Sequence, residues 1–305
     1  IDPATFNLAP AALEAAITPR TRAVIPVHFA GLPCEMEAIG NIAQRHGLHV
    51  IEDAAHAHGA KYNHQPAGSL GAQASFSFQS SKNMTSGEGG IITTNDDALA
   101  EACRSIHNCG RIPTGVWYEH HVIAGNYRLG EFQGAVLNAQ LDRLEEQTNA
   151  RNQNGQHLST CLGQLPGVLP QKRGAECTRH SYHLFMLRLD EARFGAPRAA
   201  VIRALQAEGI PCSAGYGFSL PQQPMFRHKA FGPYLPERRA AVDYNQVRCP
   251  NSDLLCREAI WFEHRMLLGS RDDASDIYRA FSKVYDSREA LGDWARRQPG
   301  LMPSH

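Results

Sequence analysis

A lysine and an aspartate open the chemistry of this sequence. Lys82 stands in Phe76-Ser77-Phe78-Gln79-Ser80-Ser81-Lys82-Asn83-Met84-Thr85-Ser86-Gly87-Glu88-Gly89-Gly90, a small polar loop between two apolar runs. A solubilising charge has little reason to sit alone among those serines. An amine that must meet a bound carbonyl compound does, because loops at strand ends carry chemistry on a rigid scaffold. Ser77 points from the preceding strand toward the same mouth and can donate to a phosphate oxygen.

Asp53 lies in Val50-Ile51-Glu52-Asp53-Ala54-Ala55-His56-Ala57-His58-Gly59-Ala60, where a strand runs out. Open α/β sheets place ligands at that edge. A carboxylate there can keep a ring nitrogen protonated, which a pyridinium electron sink requires. Together these residues suggest that Lys82 forms a Schiff base with pyridoxal 5′-phosphate over Asp53. Spacing alone also admits a solvated amine at Lys82 and a turn cap at Asp53. His56 could stack on such a cofactor, hydrogen-bond to it, or be a core residue. Glu52 reads as structural. His56-Ala57-His58 has no carboxylate or cysteine at zinc spacing, so no metal is expected. Gly87-Glu88-Gly89-Gly90 lacks the nucleotide-loop spacings and reads as a tight turn.

Two further groups carry polar chemistry. Asn126 and Arg128, in Gly125-Asn126-Tyr127-Arg128, can donate to phosphate or carboxylate, though an ordinary turn fits as well. His180-Ser181-Tyr182-His183 opens a strand, and His183 could face a polar substrate or be structural. No G-x-S-x-G or Ser/His/Asp order suggests a hydrolase.

The elements that must position these residues follow from periodicity. Pro10 to Ile17 reads as a short helix with proline near its start. Ala23 to Val27 reads as a buried strand, Gly31 to Pro33 as a turn, and Met36 to His46 as an amphipathic helix ended by Gly47. His49 to Glu52 is the next strand, giving a βαβ unit and hence a parallel sheet covered by helices. Strands at 74–78 and 90–94 and a helix from Asp96 to His107, capped by Asp96, extend this layer. Asn108 to Tyr127 is a long irregular loop, and Leu129 to about Ala150 a long helix. Beyond Gly155 the elements shorten: a strand from Tyr182 to Leu189, a helix from Pro197 to Glu208, a strand from Ile210 to Ser213, a loop from Gly215 to Pro236, a strand from Ala259 to Phe262, and helices from Asp272 and Ser287. This texture is α+β.

Thirty basic side chains balance thirty acidic ones in the 305 residues, so no global field attracts nucleic acid or an anionic membrane. Any phosphate must be held locally. Eight scattered cysteines, none in a C-x-x-C pair, read as buried free thiols in a reducing compartment. No apolar run approaches a membrane span and no signal peptide is recognised, so a cytoplasmic location is expected.

Several motifs then fall into one pattern. They are Ile25-Pro26-Val27-His28 with Gly31-x-Pro33, Glu52 through Ala60, Phe76-Ser77-Phe78 with Lys82-Asn83-x-Thr85-x-Gly87-Glu88-Gly89-Gly90, Gly125-Asn126-Tyr127-Arg128, and Tyr182-His183. Across nearly the whole chain they resemble the DegT/DnrJ/EryC1/StrS family of sugar aminotransferases. The resemblance implies an α/β fold, the fold type I of pyridoxal phosphate-dependent transferases. Residues 1–150 would form a large domain with a mainly parallel sheet, and residues 151–305 a smaller α+β C-terminal domain. It implies a homodimer with shared active sites. Lys82 becomes the Schiff-base lysine and proton carrier, and Asp53 the partner of the pyridine nitrogen. His56 lies near the phenolic oxygen, where the family often has Gln. Ser77 meets the phosphate, and Asn126 the phosphate of the neighbouring subunit's cofactor. Arg128 and His183 are expected at the substrate. A related branch of dehydratases has His in place of the lysine, so Lys82 points to transamination. The expected donor is glutamate or glutamine, and the acceptor a keto-sugar, nucleotide-linked, or a keto-cyclitol. The family carries a further N-terminal segment before the equivalent of Asp2, with a phosphate turn and a stacking aromatic residue. Part of the cofactor cage, and cover for the parallel sheet, are therefore expected to lie outside this sequence. The alternative expectation is a truncated or regulatory homologue that binds cofactor poorly.

Overall fold

Four strands carry the first half of the chain: β1 (Ala23–Val24), β2 (His49–Asp53), β5 (Gln73–Ser77) and β6 (Gly90–Thr93), in the order β1-β2-β5-β6. The first two pairings are parallel and the last is antiparallel. The computed structural model describes residues 1–229 and 243–298, so the end of the expected loop over 215–236 lies outside the described residues.

The crossover from β1 to β2 is helix α2 (Met36–His46), the βαβ unit its periodicity predicts. Met36, Ile39, Ile42 and Ala43 are its buried stripe, and Gly47 closes it in the left-handed conformation at φ 62°. They pack on Val24, Tyr62 and Leu13 of helix α1 (Pro10–Ala16). Burying a large aliphatic side chain is worth about 1.5–3 kcal/mol, so this stripe holds the helix to the sheet. Beside it, Glu52 is wholly buried. It accepts from the backbone N–H groups of Gly68, Leu70 and Gly71, and meets His28 Nε2 at 2.9 Å. Burial pushes its pKa up, but those hydrogen bonds outweigh it and hold the carboxyl below its ordinary value. The structural reading of Glu52 is borne out: it ties the 66–72 loop beneath the sheet.

The expected strand over Ala23 to Val27 pairs as a ladder only at Ala23 and Val24. Pro26 has no N–H to donate, and beyond it only Val27 bridges to Asp53. Ile25 and Val27 are exposed, as are Ile91 and Ile92 of β6, so the sheet shows apolar surface. Asp96 caps helix α3 (Asp97–His107) by accepting from Leu99 N–H.

Helix α4 (Glu131–Leu162) runs for 32 residues, past the end expected near Ala150. At 1.5 Å per residue it is about 48 Å long. Its first turns follow the Lys82 loop, while Leu158 and Leu162 are fully buried in the core of the second half. Gly155 does not break it, because Tyr182 packs flush there: a Cβ at Gly155 would come within 2.6 Å of that ring. In the second half, an antiparallel sheet of β10 (Ala259–Glu263), β9 (Leu184–Leu189) and β7 (Val168–Pro170) carries Phe185, Leu187, Ile260 and Phe262. Helices Arg198–Ala207 and Arg271–Asp286 cover it. The expected strand over Ile210 to Ser213 contributes only a bridge from Ser213 to Trp261. A small third sheet, β4 (Gln65–Pro66), β3 (Lys61–Tyr62) and β8 (Cys177–Arg179), stitches the halves together. All eight cysteines are free. Cys34 and Cys177 are buried and the other six only half-buried, less than the sequence suggests.

Candidate active site

The Lys82 loop is built from its two ends inward. Phe78 N–H donates to the Gly89 carbonyl, and the Phe78 carbonyl accepts from Ser86 N–H and the Thr85 hydroxyl. Gln140 of α4 clamps Thr85, accepting from its N–H at 2.9 Å and donating to its carbonyl at 2.7 Å. Phe78 and Met84 pack on Leu137 underneath. The turn needs Gly89: φ is 138°, and a Cβ would meet Leu129 at 2.8 Å.

Held this way, Lys82 is half-buried at a cleft of about 550 Å³ lined by His56, Ser81, His183, Tyr216, Trp261 and His264 among others. Burial pushes its pKa down, and the negative charge of Asp53 partly restores it. Asp53 ends β2 as expected. One of its oxygens accepts from Ala55 N–H at 3.1 Å, and among the described residues it makes no ion pair. Ser77 ends β5, two residues beyond Ser75, the partner of Asp53, and its hydroxyl accepts from Gln79 N–H at 3.2 Å. Asp53 and Ser77 lie at the strand ends next to the cleft without forming its wall.

His56 and His183 pack with ring centroids 4.1 Å apart and planes tilted by 36°, and His264 follows at 6.1 Å from His183. Burial dominates their titration, and neighbouring positive charge adds to it. His56 is pushed down to about 3, His183 to about 2 and His264 to about 4. At neutral pH the cleft thus presents neutral imidazoles. His58 lies deeper, against Phe76 and Phe78, with neither ring nitrogen hydrogen-bonded, and burial pushes it down to about 4. Its neighbour Arg151 is fully buried, donating to the Ser181 carbonyl and the Thr148 hydroxyl.

Trp261, on the cleft's opposite wall, was not anticipated from sequence. Phe29, Tyr216 and Trp261 form an aromatic cluster with centroid separations of 4.8–6.5 Å, and Phe29 reaches His56 at 5.8 Å. His264 and Asn83 were also missed. Asn83 had a signal, its place next to Lys82; His264 had only its place at a strand end.

The structure does not bring Asn126 and Arg128 to Lys82. Both are exposed, in the loop after α3, where Asn126 accepts from Arg128 N–H and Arg128 donates to the Asn108 side chain at 2.8 Å. His180, Ser181 and Tyr182 are structural: His180 is buried against Tyr182 with ring centroids 3.7 Å apart, and Ser181 donates to the His56 carbonyl. Among the described residues no group of His, Cys, Asp or Glu could hold a metal ion, and no helix is long and apolar enough to cross a membrane.

The family model of the DegT/DnrJ/EryC1/StrS aminotransferases matches residues 1–281. The chain belongs to this family. It is 38% identical over 275 residues to 3-amino-5-hydroxybenzoate synthase of Amycolatopsis mediterranei, covering 90% of this chain and 69% of that protein. It is 34% identical over 302 residues to L-glutamine:2-deoxy-scyllo-inosose aminotransferase of Streptomyces fradiae, covering 93% and 70%. A crystal structure of 3-amino-5-hydroxybenzoic acid synthase superposes with a TM-score of 0.81 at 34% identity, over 94% of this chain and 73% of that one. The α/β fold is therefore that of the family's fold type I transferases.

The residues present fit the family's cofactor on their own chemistry. An amine of lowered basicity faces the cleft. A carboxylate with no ion-pair partner among the described residues stands at the adjacent strand end, suited to a protonated ring nitrogen, and a neutral imidazole lines the same cleft.

Proposed function

We propose that this protein transfers an amino group from glutamate or glutamine to a keto-sugar, nucleotide-linked, or to a keto-cyclitol, using pyridoxal 5′-phosphate. The observation that carries the reading is Lys82: a half-buried amine, lowered in pKa by burial, at the mouth of a cleft beside the unpaired Asp53 carboxylate. Relatives named as aminotransferases of an amino-deoxy-inosose and of 2-deoxy-scyllo-inosose support the substrate class.

When bound, pyridoxal phosphate supplies an electrophilic carbonyl and an electron sink. Lys82 would hold it covalently and, when free, would move a proton as general base and acid. Burial suits Lys82 to this, because it favours the neutral amine over the charged one. Asp53 would keep a ring nitrogen cationic, His56 would donate toward the phenolic oxygen, and Ser77 toward the phosphate. His183 meets the substrate, a role developed below.

Asn126 and Arg128 serve the site of a second copy in a homodimer. Their loop supports this: Trp117 is 84% exposed, Ile123 fully exposed, and Phe132 at the start of α4 91% exposed. Apolar surface of that extent marks an interaction site. Free cysteines throughout suit a reducing cytoplasm.

Borohydride reduction of cofactor-loaded protein followed by peptide mapping tests the assignment. A pyridoxyl label on Lys82 is expected, and a label elsewhere would overturn it. A regulatory homologue that binds cofactor poorly is the second reading. It draws on a 38% identical relative, the pleiotropic regulatory protein of Geobacillus stearothermophilus. Protein that stays colourless with added cofactor favours that reading.

A further inference from the structure

Two neighbouring histidines in the Lys82 cleft are locked by their surroundings into opposite hydrogen-bonding roles. Asn83, 7% exposed, decides the role of His183. Its amide NH2 donates to the Ser181 carbonyl at 3.0 Å, and that oxygen can only accept. The amide is thereby oriented, and its Oδ1 faces His183 Nδ1 at 3.3 Å. An oxygen acceptor there requires the proton on Nδ1, which leaves a lone pair on Nε2. His56 is held the other way. The Ala30 N–H donates to its Nδ1 at 3.2 Å, so the proton sits on Nε2. Both rings line the cleft, and neither Nε2 hydrogen-bonds to a described residue.

We propose that Asn83 is a positioning residue that fixes the tautomer of His183, so that His183 Nε2 acts as an acceptor selecting keto-substrates with a hydroxyl beside the reacting carbonyl. His56, with Nε2–H, is left as the donor for an oxygen that only accepts. His183 suits the hydroxyl partner because a neutral imidazole acceptor requires a donor, and a bare methylene offers none. His183 and Lys82 line the same cleft, which brings that hydroxyl within reach of the carbon that receives the amino group. The selectivity rests on the aminotransferase reading above; the tautomer assignment does not.

The test has two arms. In protein labelled with ¹⁵N-histidine, two-bond ¹⁵N–¹H correlation spectra report each tautomer, with His183→Gln and His56→Gln assigning the signals. His183 should appear as the Nδ1–H form and His56 as the Nε2–H form. Asn83→Leu should release His183 from the Nδ1–H form, while Asn83→Asp, which keeps an acceptor, retains that proton. Mixed or reversed tautomers in the unmodified protein would overturn the proposal even if Asn83→Leu fails to fold. In the second arm, the cofactor-loaded enzyme is given a pentahydroxycyclohexanone and its analogue with a methylene on both sides of the ketone. The hydroxylated substrate should have the higher kcat/KM by about ten-fold, the worth of one neutral hydrogen bond. His183→Phe should bring the ratio to about one. Equal turnover of both substrates by the unmodified enzyme overturns the selectivity. Absence of turnover with every keto-sugar and keto-cyclitol removes the aminotransferase reading, and the spectrum alone then judges the tautomer lock.

Discussion

The Lys82 loop and the Asn126 loop carry the same kind of polar side chain, yet the chain treats them differently. Residues 78–89 are fastened by Gln140, by backbone pairing of Phe78 with Gly89, and by Phe78, Met84 and Leu137 beneath. Residues 108–127 are fastened mainly to themselves and to the end of α3, and their aromatic and aliphatic side chains face outward. The first region is organised by its own fold. The second has surface for a partner and no partner among the described residues. A catalytic amine needs the first kind of support, since a small displacement costs rate. A residue that serves another copy's site needs only to be presented at an interface.

The largest expected effect breaks the first region without touching its packing. Lys82→Ala should lower transamination by about 10⁴-fold or more, the upper range for a positioned acid–base group, while thermal stability stays within about 0.5 kcal/mol. Loss of fold, or retained turnover, would contradict the assignment.

Next is Glu52→Ala, which leaves three backbone N–H groups and His28 without their acceptor. We expect a loss of about 3–5 kcal/mol in denaturant unfolding, as for breaking a buried pair. A loss below 1 kcal/mol would show that the 66–72 loop is held otherwise.

The second region is probed by Phe132→Glu. The exposed ring should tolerate the charge in the folded chain, so monomer stability is unchanged. Association measured by sedimentation velocity should weaken by about 100-fold, the cost of burying an unpaired charge at an interface. Unchanged association would place the dimer contact elsewhere.

Protonation sharpens the contrast further. His56, His58, His183 and His264 all have depressed folded pKa values, about 2 to 4. The unfolded chain therefore binds more protons below about pH 6.5, and stability must fall as pH drops from there toward 4. The limiting slope is about 1.4 kcal/mol per pH unit for each histidine involved. Above pH 7 this contribution is fully present and flat. His58→Phe should reduce the slope and stabilise by roughly 1 kcal/mol, because it removes a buried ring with two unpartnered nitrogens. A steeper acid slope in that variant would show that His58 is paired in solution.

Much of this was legible in residue order. Strand, helix and Gly47 announced the βαβ unit through local periodicity and a left-handed cap, and Asp96 announced its helix by a short-range hydrogen bond. Lys82, Asp53 and Ser77 were marked by their positions at strand ends. What escaped has a common cause. Trp261, His264 and Tyr216 reach the Lys82 cleft from more than a hundred residues away, and no local pattern records such a meeting. The extent of α4 was missed because Gly155 looks like a stop until the Tyr182 ring is seen packed against it. The strand over Ala23 to Val27 reads as buried because its side chains are apolar, whereas exposure depends on what covers the sheet.

The sequence by itself determined that an amine and a carboxylate stand at adjacent strand ends, since helix caps, strand alternation and turn residues act over a few positions. Only the tertiary structure decided that the amine is half-desolvated, that the imidazoles around it are neutral, and which nitrogen of each carries the proton. Those properties arise from low dielectric and from single hydrogen bonds, Asn83 to His183 and Ala30 to His56, that exist only once distant segments are packed together.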